Sequence, residues 1–216
     1  AYYNLGLTLH EQGKLEESIE SYNRAISLKP DYVDAYNNVG NAFRDRGQLK
    51  KAIEAYKTAL SLKPSYAEVH NNIGIILHQQ GKLEGSIEAF KKAIILKPDY
   101  TDAYNNMGNA LKDQSQLDQA IKAYKTAISL KPDYAVAHNN LSFAFLNSGR
   151  FKEGLAEYEW RWKNPENKSI RRHFLRPSWD SKKSLKGKRI LLWSEQGIGD
   201  TINWSSVIPH ISSQAE

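Results

Sequence analysis

A chain of 216 residues with 40% hydrophobic and 25% charged side chains is long enough to bury a core and unlike a disordered or collagenous sequence. The absence of cysteine excludes disulfides, thiol nucleophiles and cysteine zinc sites and allows a reducing, cytoplasmic location; no apolar run approaches the roughly 20 residues of a membrane-spanning helix. The net charge of +6 resides in one segment: residues 161–189 carry a local +9, and the rest of the chain sums to −3, which disfavours a nucleic-acid-binding domain.

Read from the first residue, the chain repeats itself. Pro30, Pro64, Pro98 and Pro132 stand 34 residues apart, each inside a Leu-Lys-Pro-Asp/Ser-Tyr segment. A second comb runs in phase, with Gly6, Gly40, Gly74, Gly108 and Ser142 each closing a short motif led by asparagine or tyrosine. Five units follow, at residues 1–32, 33–66, 67–100, 101–134 and 135–165, and each reads as two helices. In the second unit Asp31 is expected to cap a first helix carrying Ala35, Tyr36, Val39 and Phe43 on one face. Gly47 breaks it. Leu49, Ala52, Ile53, Tyr56, Ala59 and Leu60 form the stripe of a second helix, ended by Lys63 and Pro64. Small residues in pairs, Gly6/Ser18, Gly40/Ala52, Gly74/Ser86 and Gly108/Ala120, predict a close approach of the two helices. The chain starts inside a first helix, which predicts further repeats upstream.

The small residue of the first helix, the Ala, Tyr and Ala of the second and the terminal proline resemble the tetratricopeptide repeat over residues 1–165. The resemblance implies an all-α fold, a right-handed superhelix of antiparallel helix pairs, whose first helices line the concave wall. The fifth unit departs from the pattern, with Gly154 at the small-residue position and Arg161 in place of the closing alanine, and is expected to cap the stack.

Asparagine is the conspicuous side chain of that wall. Asn4, Asn38, Asn72, Asn106 and Asn140 recur every 34 residues, preceded by Asn37, Asn71, Asn105 and Asn139 in four of the units. An amide both donates and accepts, so a ladder of amides can hold the backbone of an extended peptide. The O-linked N-acetylglucosamine transferases are similar in carrying an asparagine at the matching place of each repeat. The competing reading has one asparagine of each pair satisfying backbone groups between adjacent repeats. Arg44, Asp45, His78, Lys112 and Asp113 mix signs and form no single charged groove, and Tyr32, Tyr66, Tyr100 and Tyr134 read as packing between repeats. His10 and His78 are 68 residues apart, as are His70 and His138, so they do not converge on a metal or a catalytic triad. No resident cofactor or metal is expected.

After Pro165 the period stops. Residues 166–188 read as a basic linker with aromatic pins, and residues 189–216 as a truncated Rossmann-like fragment: the strand Ile190-Leu191-Leu192-Trp193, a glycine loop to Asp200 and the start of a helix. Together with Glu157-Tyr158-Glu159-Trp160-Arg161-Trp162 and Arg176-Pro177, this resembles bacterial tetratricopeptide proteins fused to a heptosyltransferase-like glycosyltransferase. The resemblance makes Asp200 the match of a candidate general base. A nucleotide-sugar donor would need a full-length enzyme, so no catalysis is expected of this chain. The expected function is a scaffold that binds an extended peptide or partner subunit, with self-association through 189–216. The alternative is the substrate-recruiting arm of a glycosyltransferase.

Overall fold

The computed structural model describes residues 1–163; the linker 166–188, the strand–loop–helix of 189–216 and Asp200 lie outside the described residues. Among the described residues ten α-helices follow one another in five pairs: α1 (Tyr2–Glu11) with α2 (Leu15–Leu28), α3 (Val33–Asp45) with α4 (Leu49–Leu62), α5 (Ala67–Gln79) with α6 (Leu83–Leu96), α7 (Thr101–Asp113) with α8 (Leu117–Leu130), and α9 (Ala135–Asn147) with α10 (Phe151–Tyr158). A 3-10 turn, Glu159–Lys163, ends the described part, and no strand occurs among the described residues.

The two helices of a pair meet where one side chain is missing. A Cβ on Gly74 would lie 2.6 Å from the Phe90 ring, and Gly40 and Gly108 stand equally close to Tyr56 and Tyr124, at 2.5 Å. The expected pairing of Gly74 with Ser86 is therefore only part of the contact: the aromatic ring fills the notch, and the Ser86 hydroxyl donates to the Gly74 carbonyl at 2.8 Å. Ser18 does the same to Gly6 at 2.9 Å. In the fifth pair the roles exchange, with Ser142 of the first helix donating to the Gly154 carbonyl of the second at 2.8 Å. Each of these hydroxyls is fully buried, so its bond removes a polar burial cost.

Between pairs, apolar side chains form the core. One cluster joins Ile19 and Tyr22 to Val39 and Ala42, a second joins Tyr56 and Ala59 to Val69 and Ile76, and a third runs from Ile87 and Phe90 through Leu111 and Tyr124 to Leu141 and Phe145. Neighbouring first helices come within 8 Å of one another, Cα to Cα, whereas neighbouring second helices do not. The tighter spacing puts α1, α3, α5, α7 and α9 on the inner side of the stack.

The helix starts differ from expectation. Asp31 does not cap α3: the chain turns at Pro30, with the Tyr32 N–H donating to the Lys29 carbonyl at 3.1 Å, and Tyr32 takes the N-cap position without a side-chain bond. The turn thereby delivers the Tyr32 ring, 4.8 Å from that of Tyr3 and beneath the Lys29 ammonium at 5.1 Å. Asp34 instead accepts the hydroxyl of Tyr66 from the next unit at 2.7 Å, and Asp102 that of Tyr134 at 2.8 Å. Burial and, for Tyr66 and Tyr134, the adjoining carboxylate push these phenols up, and burial raises Tyr100 to about 12.

First helices end as expected, at Gly47 and its equivalents Gly13, Gly81 and Gly149, all with φ between 71° and 77°. The N–H groups of Gly47 and Gln48 return to the Arg44 and Phe43 carbonyls and close the helix end. In the fourth unit Ser115 occupies this place with φ 62°, a left-handed conformation that glycine adopts at lower cost.

Candidate functional site: the amide wall of the first helices

Consecutive residues of a helix point about 100° apart, so the two asparagines of each pair face different surroundings. Asn37, Asn71 and Asn105 are buried, at 8%, 4% and 4% exposure. Asn38, Asn72, Asn106 and Asn140 are half-buried on the wall, and Asn4 is exposed. The half-buried residue of one unit donates to the buried residue of the unit before: Asn72 Nδ2 to Asn37 Oδ1 at 3.1 Å, Asn106 Nδ2 to Asn71 Oδ1 at 3.1 Å, and Asn140 Nδ2 to Asn105 Oδ1 at 2.9 Å. Tyr3 stands where the first unit lacks the leading asparagine, and Asn38 Nδ2 donates to its hydroxyl at 2.9 Å. The buried series thus satisfies its neighbours through side-chain amides, and the backbone groups anticipated as its partners are not used.

Sequence reasoning missed two further amides. Asn41 and Asn109 lie one turn on from Asn38 and Asn106, and each accepts a buried tyrosine hydroxyl of the paired second helix, Tyr56 at 2.7 Å and Tyr124 at 2.8 Å. The corresponding places in the first, third and fifth units hold Leu7, Ile75 and Phe143. The signal is a 68-residue period laid over the 34-residue one, visible also in the alternation of Ser18 and Ser86 with Ala52 and Ala120. It governs the charged rim as well. His10 Nε2 lies 2.9 Å from Asp45 Oδ2, and His78 Nε2 lies 2.7 Å from Asp113 Oδ2, each across one unit boundary. Arg44 and Lys112 attach to the same two carboxylates, at 2.9 and 3.6 Å. Each carboxylate is shared by two basic side chains, so no like-charged stripe develops.

His70 and His138 sit elsewhere. Each places Nε2 on a proline carbonyl, Pro64 at 3.2 Å and Pro132 at 3.0 Å. His138 is also stacked on Trp160, with ring centroids 3.7 Å apart and planes at 1°, and pairs with Glu157. Among the described residues no group of three or more His, Asp or Glu is placed to hold a metal, and no helix is long and apolar enough to cross a membrane.

The chain belongs to the TPR repeat family, whose sequence model matches residues 6–43, 40–81, 74–115 and 108–149. No curated protein sequence matches it. Among solved structures it is similar to MamA: one crystal structure is 25% identical with a TM-score of 0.65, over 77% of this chain and 97% of MamA, and another is 26% identical with a TM-score of 0.63, over 82% and 96%. It shares its fold with pilF of Pseudomonas aeruginosa, 20% identical with a TM-score of 0.71 over 78% of both chains. It also shares its fold with YrrB, described as a TPR protein with an unusual peptide-binding site, 19% identical with a TM-score of 0.59 over 77% of this chain and 86% of that one.

Proposed function

We propose that the chain is a protein-interaction scaffold whose inner wall binds an extended peptide or a segment of a partner subunit. The supporting observation is the row of half-buried and exposed amides, Asn4, Asn38, Asn72, Asn106 and Asn140, on helices that face one another along the stack. Amides at regular intervals suit a ligand whose own amides recur at regular intervals, which is an extended polypeptide. Asn37, Asn71 and Asn105, buried beneath the row, position it. A TPR protein with a peptide-binding site among the structural neighbours is in keeping with this reading.

The test replaces Asn4, Asn106 and Asn140 together by alanine. Each net hydrogen bond is worth about 0.5 to 1.5 kcal/mol, so the triple variant is expected to bind peptide at least about tenfold more weakly while keeping its helical circular dichroism. Unchanged affinity would remove the wall as the binding surface.

The reading as a recruiting arm of a bacterial glycosyltransferase, with Asp200 as general base, rests on sequence motifs at residues 157–200 alone. Assaying sugar transfer from nucleotide donors tests the expectation that this chain itself is inactive, and light scattering with and without residues 189–216 tests self-association. No transfer, and self-association through 189–216, are the expected results.

A further inference from the structure

The second and fourth units carry the same amide constellation, but the second spends more of it on internal bonds. Around the second unit, both Nδ2 hydrogens of Asn72 are used, on Asn37 at 3.1 Å and on Asn41 at 3.0 Å. The oxygen of Asn41 therefore accepts both Asn72 and Tyr56, and the oxygen of Asn38 accepts Asn37 at 3.3 Å and, at a long 3.5 Å, Asn41. Arg44 adds a further long contact of 3.5 Å to the Asn72 oxygen. Its guanidinium can do so while still holding Asp45, because the planar fork presents several donors.

One 68-residue period later the network is cut back. Asn140 donates to Asn105 alone, Asn106 to Asn71 alone, and Asn109 accepts only Tyr124. Lys112, a single point charge in place of the arginine fork, is paired with Asp113 and reaches no amide. Asn106 and Asn140 each keep one N–H and both oxygen lone pairs, and Asn109 keeps both N–H groups. Beside them, at the place of Asn109 one unit on, Phe143 is 42% exposed.

We infer that the inner wall of α7 and α9 is the primary subsite of the groove. It takes an extended, uncharged peptide segment whose backbone engages Asn106, Asn109 and Asn140 and whose apolar side chain packs on Phe143, while the matching place on α3 and α5 is closed by its own bonds. The inference rests on the peptide-binding reading and assigns that binding to one end of the described stack. The two basic side chains at this end, Lys112 and His78, are both turned onto the Asp113 carboxylate, which is why the ligand is taken to be uncharged here.

The probe is a random dodecapeptide phage library selected on the whole chain, followed by titration of the enriched peptides. Two double variants copy residues the chain already uses in the third unit, Ile75 and Phe90, so the stack can accept them: Asn109→Ile with Tyr124→Phe, and Asn41→Ile with Tyr56→Phe. The first pair is expected to weaken binding about tenfold or more, as is Phe143→Ala, with helicity and melting curve retained; the second pair is expected to change affinity less than about twofold. A loss from the second pair equal to or greater than that from the first overturns the subsite and leaves peptide binding by the wall standing. Peptides indifferent to both pairs, to Phe143→Ala and to the alanine triple overturn both.

Discussion

The odd and even helix pairs solve one packing problem in two ways. In all of the first four pairs an aromatic ring of the second helix fills the notch left by a glycine of the first. In the odd pairs, the first and third, the seam also holds a serine hydroxyl bonded to the glycine carbonyl, and the inner wall is apolar at Leu7 and Ile75. In the even pairs the seam holds alanine, and the polar group is displaced to the wall, where Asn41 and Asn109 accept the tyrosine hydroxyls. The steric demand is common to all and fixes the 34-residue period. Where the polar atoms go is free to vary, and its variation decides which units show amides to a ligand.

Breaking the shared part of the comparison has the largest effect. Gly74→Leu in an odd pair and Gly108→Leu in an even pair are each expected to cost about 3 kcal/mol or more, because a side chain there runs into a buried ring. Thermal melting of the two variants checks whether the losses match. A large difference between them would mean that the notch is not common to both kinds of pair.

The alternating part is tested by one substitution made twice. The Tyr56 hydroxyl is bonded to Asn41, so Tyr56→Phe is expected to cost about 1 kcal/mol. Tyr22 faces a unit with Leu7 in that place. Its hydroxyl is buried without a hydrogen-bond partner, the neighbouring Ser18 being directed to the Gly6 carbonyl. Tyr22→Phe is therefore expected to be neutral or to stabilise by up to about 1 kcal/mol, and urea unfolding of the two variants gives the contrast. Equal losses would end the distinction between the pairs.

The smallest effect sharpens the comparison within the even pairs. Ser115 holds the left-handed conformation that Gly47 holds in the second unit, so Ser115→Gly is expected to raise stability by no more than about 1 kcal/mol. A lowered melting temperature would show that the serine makes a compensating contribution in the native state.

The architecture was readable because packing repeats strictly: the proline and glycine combs mark where helices end and where they touch. The glycine notch was only half legible, since Ser86 lies twelve residues on in a pattern that also holds Phe90, and only the folded pair shows the ring taking the space. The helix starts were misread because aspartate is a good N-cap by itself, whereas here a proline turn places Tyr32 at the cap and sends Asp34 to Tyr66. The asparagine rows were visible as a period, but which member of each pair turns inward depends on rotation about the helix axis and on the spacing of neighbouring first helices. Bonds such as Asn72 to Asn37 and His10 to Asp45 span 35 residues, one unit plus one residue, and a strict search at 34 passes over them.

Because each helix among the described residues meets only helices of its own pair and of the pairs on either side, the order of these elements in space is their order along the chain. Such a stack has a low contact order. No distant segment must be found before an early one is useful, and any adjacent pair of units can act as the nucleus to which the next is added. Stability then accrues unit by unit, as intrinsic terms plus one interface for each junction, so a lesion in one unit is felt most at its own junctions and fades along the stack.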